Sequence, residues 1–362
     1  MVITGKDILT RLGDLIEKHL GPLESEVSCV SPAESAARNS IVFASTKQQL
    51  EGAINSTAPI IVTGLIAGPK IESMIDSGHG SADKLFLLTK DPYLAMALCA
   101  KHFFSHNWIP EGNSGIHPKA EVSDSASIGK GSYIGANTVI HAGVKIGQNC
   151  VVRENTVIDT RAEIGDGTVI LPFVFIGRDC ILGKNNVVQS FSTIGSEGFG
   201  YAPDSSNERV HIHHQSKVVL GDHVEIGAST TIDRGTFADT TIGDHCKIDN
   251  HCHFAHNVKV GKRALIAGGF LVAGSSEFGD DFTAGGHCQI GGHHKITDGV
   301  TLATVTKVMG DITEPGVYGG QPAHPIQLYR KNLVSGVRLA EMKKNISKLM
   351  REVFKERTDK KN

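Results

Sequence analysis

The chain has 362 residues, of which 36 are Lys or Arg and 38 are Asp or Glu, so its formal net charge is −2 at pH 7. A charge this close to zero excludes the strongly basic balance of many nucleic-acid-binding proteins, and we expect no nucleic-acid partner. The seven cysteines form no C-x-x-C pair, and neither a signal peptide nor a run of about eighteen apolar residues is evident. These features predict a cytoplasmic protein without disulfide bonds or transmembrane segments.

Residues 1–108 have the patterns of a small α/β domain. Apolar residues recur at helical spacing from Ile8 to Ile16 and predict a first helix. A second helix is predicted over 46–55, and Asp91 before a proline predicts the start of another. The apolar runs at 41–43, 60–62 and 85–89 predict buried strands.

Residues 109–323 are dominated by an aliphatic residue at every sixth position. A period of six fits neither a helix nor a plain strand, but it fits a short strand followed by a corner. Three such units make one triangular coil of eighteen residues, so we predict a parallel β-helix of roughly nine or ten coils. The first fourteen positions, all Ile, Val or Leu, are 116, 122, 128, 134, 140, 146, 152, 158, 164, 170, 176, 182, 188 and 194.

Two segments interrupt this repeat. Residues 196–217, here called the excursion, leave the sixfold pattern entirely. Long loops on a rigid scaffold often carry function, although a tolerated insertion would give the same pattern. The second interruption, Asp233–Thr241, is short and is interpreted as a corner adjustment.

Residues 324–362 return to helical spacing and form a predicted C-terminal helical extension. They contain eleven Lys or Arg and four Asp or Glu. One interpretation is an amphipathic helix that packs against its copies in an oligomer. The other is a basic docking surface for an acidic protein partner. The two interpretations use different faces of the helix.

The eighteen-residue coil places three residues of the second half along one stripe. Gly274 follows His256 by 18 residues, and His293 follows Gly274 by 19. Histidine is a suitable general base near neutral pH, and a backbone N–H without a side chain in front of it suits an oxyanion. This combination favours acyl transfer to an amine or a hydroxyl.

Other interpretations of the histidines remain open at this stage. His251 and His256 have the H-x4-H spacing of gamma-type carbonic anhydrases, which are trimeric zinc enzymes with the same repeat. His287 lies 36 residues, or two coils, from His251, so a third ligand would come from another coil or subunit. A sugar acetyltransferase that uses acetyl-CoA and a non-enzymatic scaffold are further alternatives.

Several strings resemble the UDP-3-O-(3-hydroxyacyl)glucosamine N-acyltransferase family of lipid A synthesis. They are more specific than the sixfold repeat, and they extend over both arrays and the excursion. The strings are Gly198–Ala202, Val224–Ala228, Thr230–Gly235, Ile248–Asn250, Ala255–Val258, Ala267–Gly269, Ala273–Ser275, Gly291–His293 and Ile312–Tyr318.

The resemblance implies a left-handed β-helix, a homotrimer and active sites between neighbouring subunits. The donor would be a 3-hydroxyacyl thioester on acyl carrier protein, and the acceptor the 2-amino group of the UDP-sugar lipid. No metal or other cofactor is expected, since the phosphopantetheine arrives on the carrier protein. By position, the resemblance implies His256 as general base, Gly274 as oxyanion donor, His293 as a second site histidine and Asp249 as a residue that orients an imidazole.

The resemblance also implies substrate-binding residues. Phe43 would stack on the uracil, so that residues 1–108 would bind the uridine nucleotide. Phe199, Tyr201 and Asn250 lie in the matching strings and are expected to contact substrate. The chain departs from the family at His214, where proline is usual, and at the positions after Phe43.

Overall fold

The structure, a computed structural model, describes residues 2–77, 83–105, 107–320 and 326–359. The chain divides into two compact units, Met1–Asn107 and Trp108–Asn362. The first unit contains the predicted α/β elements, and the second contains the repeat and the C-terminal helix.

The first unit is built on a five-stranded sheet. Its strands lie in the order Ile16–Leu20, Leu85–Thr89, Ile60–Gly64, Ser40–Ala44 and Cys29–Val30, and only the first pair is antiparallel. A small second sheet pairs Ile3–Thr4 with Glu26–Val27. The helices are Gly5–Leu12, Lys47–Asn55, Gly68–Asp76 and Pro92–Phe103, with short 3-10 turns at Gly13–Leu15, Ala33–Ser35 and Leu65–Ala67.

Side chains alternate between the two faces of the central strands, as the pleat requires. Ile41 packs with the first and last helices, whereas Val42 packs with the two helices between them. Both helix starts predicted from sequence carry a side-chain cap. The Thr46 hydroxyl accepts a hydrogen bond from the Gln49 N–H at 3.2 Å, and the Asp91 carboxylate accepts one from the Leu94 N–H at 2.8 Å.

The prediction of the first helix is wrong at its C-terminal end. The helix ends at Leu12 rather than beyond Ile16, because Gly13 has φ of 50° and closes it. Ile16–Leu20 instead forms an edge strand paired antiparallel with Leu85–Thr89.

The second unit is a parallel β-helix with three sheets along its sides. Face 1 contains Tyr133–Ile134, Val151–Val152, Val169–Ile170, Val187–Val188, Glu225–Ile226, Lys247–Ile248, Leu265–Ile266, Thr283–Ala284, Val300–Leu302 and Gly316–Tyr318. Face 2 contains Glu121–Val122, Val139–Ile140, Val157–Ile158, Phe175–Ile176, Thr193–Ser196, Thr231–Asp233, His253–Phe254, Leu271–Val272, Gln289–Ile290 and Lys307–Val308. Face 3 contains Ser127–Ile128, Lys145–Ile146, Glu163–Ile164, Ile181–Leu182, Val218–Leu220, Thr240–Ile242, Lys259–Val260, Glu277–Phe278 and Lys295–Ile296.

The strand register follows the period of eighteen. In each two-residue strand the second residue points inward, and in the three-residue strands that end at Leu220, Ile242 and Leu302 the last residue does. These side chains form one continuous buried core through the coils. Val188 pairs with Ile226, so the coil with the excursion spans 226 − 188 = 38 residues. Ile226 pairs with Ile248, so the next spans 248 − 226 = 22. All additional residues lie outside the core, which keeps the coils stacked.

The excursion contains a hairpin of Tyr201–Pro203 and Arg209–His211. At the C-terminal end of the second unit, Ile326–Asp359 is a single helix, as predicted. Its described apolar side chains, among them Val337 and Ile346, are exposed. None of the helices in the described ranges is both long enough and apolar enough to cross a membrane.

Candidate active site

His256 lies on the corner that follows the face 2 strand His253–Phe254, and its imidazole lies on the glycine one coil further on. A Cβ atom added to Gly274 would be 2.6 Å from the Cε1, 2.8 Å from the Nε2 and 3.0 Å from the Nδ1 of His256. A side chain at residue 274 would therefore occupy the space of the ring. Gly274 is required here by close approach, since its backbone is not left-handed.

The backbone N–H of Gly274 is uncommitted. Within the described residues it donates to no acceptor. At another corner the corresponding groups are engaged, because the Gly268 N–H donates to the Asp249 carboxylate at 3.0 Å and the Ala228 N–H to the Asn250 amide oxygen at 2.6 Å. A free amide beside an imidazole is the arrangement that stabilises an oxyanion next to a base.

The Nδ1 atom of His256 faces two side chains that favour opposite tautomers. The Thr236 hydroxyl lies 3.4 Å away and can accept a proton, whereas the Asn257 NH₂ lies 3.1 Å away and can only donate. The Asn257 orientation is fixed because its oxygen accepts the Thr236 N–H at 2.7 Å. The Asn257 contact favours the tautomer with the proton on Nε2. In the other tautomer the Nδ1 proton goes to Thr236, and Nε2 has the free lone pair that a general base needs.

The excursion covers one side of His256. His214 is fully buried, and its ring centroid lies 5.1 Å from that of His256 at an interplanar angle of 64°. Neither ring nitrogen of His214 has a hydrogen bond. Gly198 leaves the room for this contact, since a Cβ there would be 2.6 Å from the His214 Nε2 and 3.0 Å from the His256 Cβ.

The pKa of His256 is lowered. Burial is the largest cause, followed by the nearby imidazoles of His214 and His293, and a backbone hydrogen bond with Phe199 opposes the shift. A lowered pKa keeps the imidazole neutral, and therefore able to accept a proton, at neutral pH.

A cleft of about 510 Å³ opens beside His256 and Gly274. Phe199 lines it from the excursion, and its ring is 83% exposed. Asp233 also lines the cleft. Burial raises the pKa of its carboxyl, whereas the hydrogen bond from Ser196 and the charge of His253 act to lower it. The Ser196 hydroxyl donates to Asp233 at 2.9 Å, so the carboxylate is held in the wall of the cleft.

The structure arranges His256, Gly274 and His293 in consecutive coils along one corner. His293 is exposed, has φ of 62° and donates its backbone N–H to the Gly274 carbonyl at 3.0 Å. Its position is one residue beyond the equivalent of Gly274, which matches the spacing in the sequence.

Asp249 and Asn250 lie in a different cleft of the same chain. That cleft, of about 930 Å³, is on face 1. The Asp249 carboxylate is occupied by the Gly268 N–H, and the partners of the His256 Nδ1 are Thr236 and Asn257. Within one chain, Asp249 therefore does not orient the imidazole of His256.

The other predicted substrate residues lie in separate places. Tyr201, in the hairpin, packs against Phe199 at 5.2 Å between ring centroids. Phe43 is half-buried in the first unit, on the sheet face of the first and last helices. A pocket of about 390 Å³ in that unit contains Lys47 and Lys70, but it is lined from the ends of the strands and does not include Phe43.

Among the described residues of one chain, no third metal ligand joins His251 and His256 as the zinc alternative requires. In the ranges that the structure describes, one group of three His, Cys, Asp or Glu side chains is close enough to bind an ion, and it contains neither His251 nor His256.

Comparison with known proteins decides the family. The bacterial transferase hexapeptide (six repeats) profile matches residues 239–269, and a GMPPB C-terminal domain profile matches residues 111–197. UDP-3-O-acylglucosamine N-acyltransferase of Cupriavidus pinatubonensis is 38% identical over 291 residues, which cover 79% of this chain and 78% of that protein. The Bordetella parapertussis protein of the same name is 34% identical over 328 residues, with 89% and 88% covered. The chain belongs to the UDP-3-O-acylglucosamine N-acyltransferase family.

The chain is also similar to a solved structure of Arabidopsis UDP-N-acetylglucosamine acyltransferase, with a TM-score of 0.51 and 24% sequence identity. The match covers 63% of this chain and 80% of the Arabidopsis chain. The fold is the predicted left-handed parallel β-helix of hexapeptide repeats, and the protein is an acyltransferase. The family resemblance seen in the strings of the sequence is thereby confirmed.

Sequence reasoning missed several residues around His256 in this family member. Thr236 comes from the short interruption that was interpreted only as a corner adjustment, and Asn257 directly follows the histidine. His214 was noted only as a departure from the family. The signal for Thr236 was present in the sequence, because the interruption adds residues to the coil that contains the site.

We expect His214→Phe to shift the pH profile of kcat/KM. The variant keeps a ring against His256 but removes the imidazole of His214, which is one of the causes that lower the His256 pKa, so the His256 pKa rises. Activity that depends on neutral His256 is lost as the pH falls through that pKa, so the acidic limb moves to higher pH. His223→Phe, at an exposed corner, is the matched control. An unchanged limb, or one moved to lower pH, would contradict the contact.

Proposed function

We propose that this acyltransferase moves a 3-hydroxyacyl chain from acyl carrier protein to the 2-amino group of UDP-3-O-(3-hydroxyacyl)glucosamine in lipid A biosynthesis. The observation that carries the proposal is the imidazole of His256 lying on Gly274, whose amide is uncommitted, beside an open cleft. The names of the relatives at 34–38% identity support the acceptor.

The proposed reaction is a direct transfer. The neutral amine attacks the thioester carbonyl, and His256 takes the proton that the nitrogen loses. The carbonyl oxygen becomes an oxyanion that accepts a hydrogen bond from the Gly274 N–H. The C–S bond then breaks, the sulfur takes the proton from His256, and the products are the amide and the free carrier thiol. In the tautomer that acts as the base, the Thr236 hydroxyl accepts the Nδ1 proton and Nε2 keeps its lone pair.

A homotrimer is part of the proposal. The predicted site residues are divided between a face 2 cleft with His256 and a face 1 cleft with Asp249 and Asn250. A neighbouring copy that turns its face 1 toward face 2 would unite the two sets. Leu271 and Leu265, 42% and 57% exposed at the respective clefts, would be covered by such an interface.

We assign the uridine nucleotide to the first unit. Phe43 is half-buried on its sheet and supplies the aromatic face for uracil. The pocket with Lys47 and Lys70 has the charge to hold an anionic group, although it opens at a different place from Phe43.

A substrate assay tests the proposal. The purified chain is given UDP-3-O-acylglucosamine with a hydroxyacyl group carried on acyl carrier protein, and in parallel with acetyl-CoA or with carbon dioxide. We expect only the carrier-bound donor to acylate the amine. Turnover of acetyl-CoA would favour the sugar acetyltransferase, and zinc-dependent hydration of carbon dioxide would favour the carbonic-anhydrase alternative.

The basic C-terminal helix gives a separate test of the carrier partner. Lys343, Lys344 and Lys348 are exposed on it. We expect their joint reversal to Glu to raise the KM for the acidic carrier protein and to leave the KM for the sugar nucleotide unchanged, because charge complementarity acts on the encounter with the partner. Equal effects on both constants would point to a folding role of the helix instead.

A further inference from the structure

The excursion contains a cluster of metal-binding side chains that the acyl transfer does not use. Glu197, His211 and His213 each offer one ligand atom, and these three atoms lie within 4.8 Å of one another. They come from the two ends of the loop, since Glu197 opens it and the histidines close it.

The local fold explains why the cluster forms. His211 ends the hairpin strand and pairs with Tyr201, and the Ile212 N–H donates to the Gly200 carbonyl at 2.8 Å. In extended backbone, residues two apart lie on one side, so His211 and His213 both face the start of the loop. Their ring centroids are 4.9 Å apart at an angle of 87°.

The free nitrogen lone pairs of His211 and His213 suit a metal cation that is neither strongly hard nor strongly soft. Among the described residues, the imidazoles of His211 and His213 make no hydrogen bond, so neither is committed to another partner. A second observation points the same way. The unbonded, fully buried His214 ring places its Nδ1 3.4 Å from the Glu197 carboxylate, which also accepts the His214 backbone N–H at 2.9 Å.

We propose that Glu197, His211 and His213 bind Zn²⁺, with water in the remaining position. Two imidazoles and one carboxylate are a ligand set that zinc takes, whereas Mg²⁺ prefers oxygen ligands. The guanidinium of Arg178 lies 4.0 Å from the Glu197 carboxylate and competes for its charge. The site is therefore weaker than a closed site with four protein ligands.

The bound ion would restrain the excursion beside the cleft. It ties residue 197 to residues 211 and 213, while His214 next to them packs on His256. The ion takes no part in acyl transfer. It holds in place Phe199, which lines the cleft, and His214, which packs on His256.

Zinc titration of the chelator-treated full chain tests the site by isothermal titration calorimetry. We expect one zinc per chain and no response to Mg²⁺. His211→Ala and His213→Ala should each weaken zinc binding by about tenfold or more. Replacing a residue that only supports a metal ligand already weakens metal binding by about that factor. His223→Ala/His245→Ala removes another close histidine pair, with centroids 4.8 Å apart, and should bind zinc as the wild type does.

Limited proteolysis tests whether zinc binds at the hairpin without measuring the zinc affinity. Arg209 is exposed in the hairpin and is a trypsin site. Zinc should slow cleavage there severalfold in the wild type and leave the rate unchanged in His211→Ala/His213→Ala. The proposal is overturned if the wild type binds no zinc, if the double variant binds it equally well, or if zinc protects both proteins alike.

Discussion

Replacing His256 with alanine is expected to lower kcat by about 10²–10⁴, the usual contribution of a positioned general base. The imidazole is the group that takes the amine proton in the proposed reaction, and its lowered pKa keeps it neutral in the working pH range. Substrate binding should change little, because Phe199 and the rest of the cleft remain. The measurements are kcat and KM with the carrier-bound donor, with thermal unfolding to show that the fold persists.

His251→Ala is the matched control for this experiment. His251 is an exposed histidine five residues earlier, at a corner that the structure separates from the cleft. It should retain the activity of the parent protein. A His256→Ala enzyme within a few-fold of the wild type would remove the general-base proposal. An equal loss in both variants would instead favour the metal alternative, which requires both side chains.

The β-helix was predictable because its information is repeated in every coil. Each inward position needs an aliphatic side chain, and this requirement returns every six residues from Ile116 onward. The same period places His256, Gly274 and His293 on one corner, because one coil adds 18 residues at a fixed rise. Arithmetic alone therefore located this part of the candidate site.

The period also shows why Asp249 does not reach His256 within one chain. It precedes His256 by 256 − 249 = 7 residues, which is more than one side of an eighteen-residue coil. Asp249 consequently belongs to the corner after face 1, where its carboxylate binds the Gly268 N–H. The resemblance to a family identified the string, but it did not specify the corner of the coil on which Asp249 lies.

The sequence shows where the irregular segments lie, but it does not show which side chains they bring to His256. Thr236 reaches His256 because the coil from Ile226 to Ile248 contains four residues more than eighteen, and they bulge beside the imidazole. His214 returns to the same imidazole from a loop whose path no repeat determines. In the first unit, Gly13 ended a helix that apolar spacing had extended, because a single positive φ outweighed the pattern.

Gly274→Ala is expected to reduce kcat nearly as strongly as the loss of His256. The added methyl would lie 2.6–3.0 Å from three atoms of the imidazole, too close for any real contact, so the ring must leave its position. Gly292 occupies the same place one coil further on, where a methyl would meet only the Gly274 oxygen at 3.2 Å and the Ala273 Cβ at 3.7 Å. Gly292→Ala is therefore a control with the same chemical change and a much smaller expected effect.

The double variant Gly274→Ala/His256→Ala separates the two causes of a loss. Without the imidazole the methyl has room, so we expect the double variant to be no slower than His256→Ala, because changes that act through one contact are not additive. Steady-state kinetics of the four proteins, with thermal unfolding of each, measures this coupling. If Gly274→Ala retained full activity, the imidazole would not lie on residue 274 in the working enzyme. The proposed pairing of base and oxyanion donor would then be wrong.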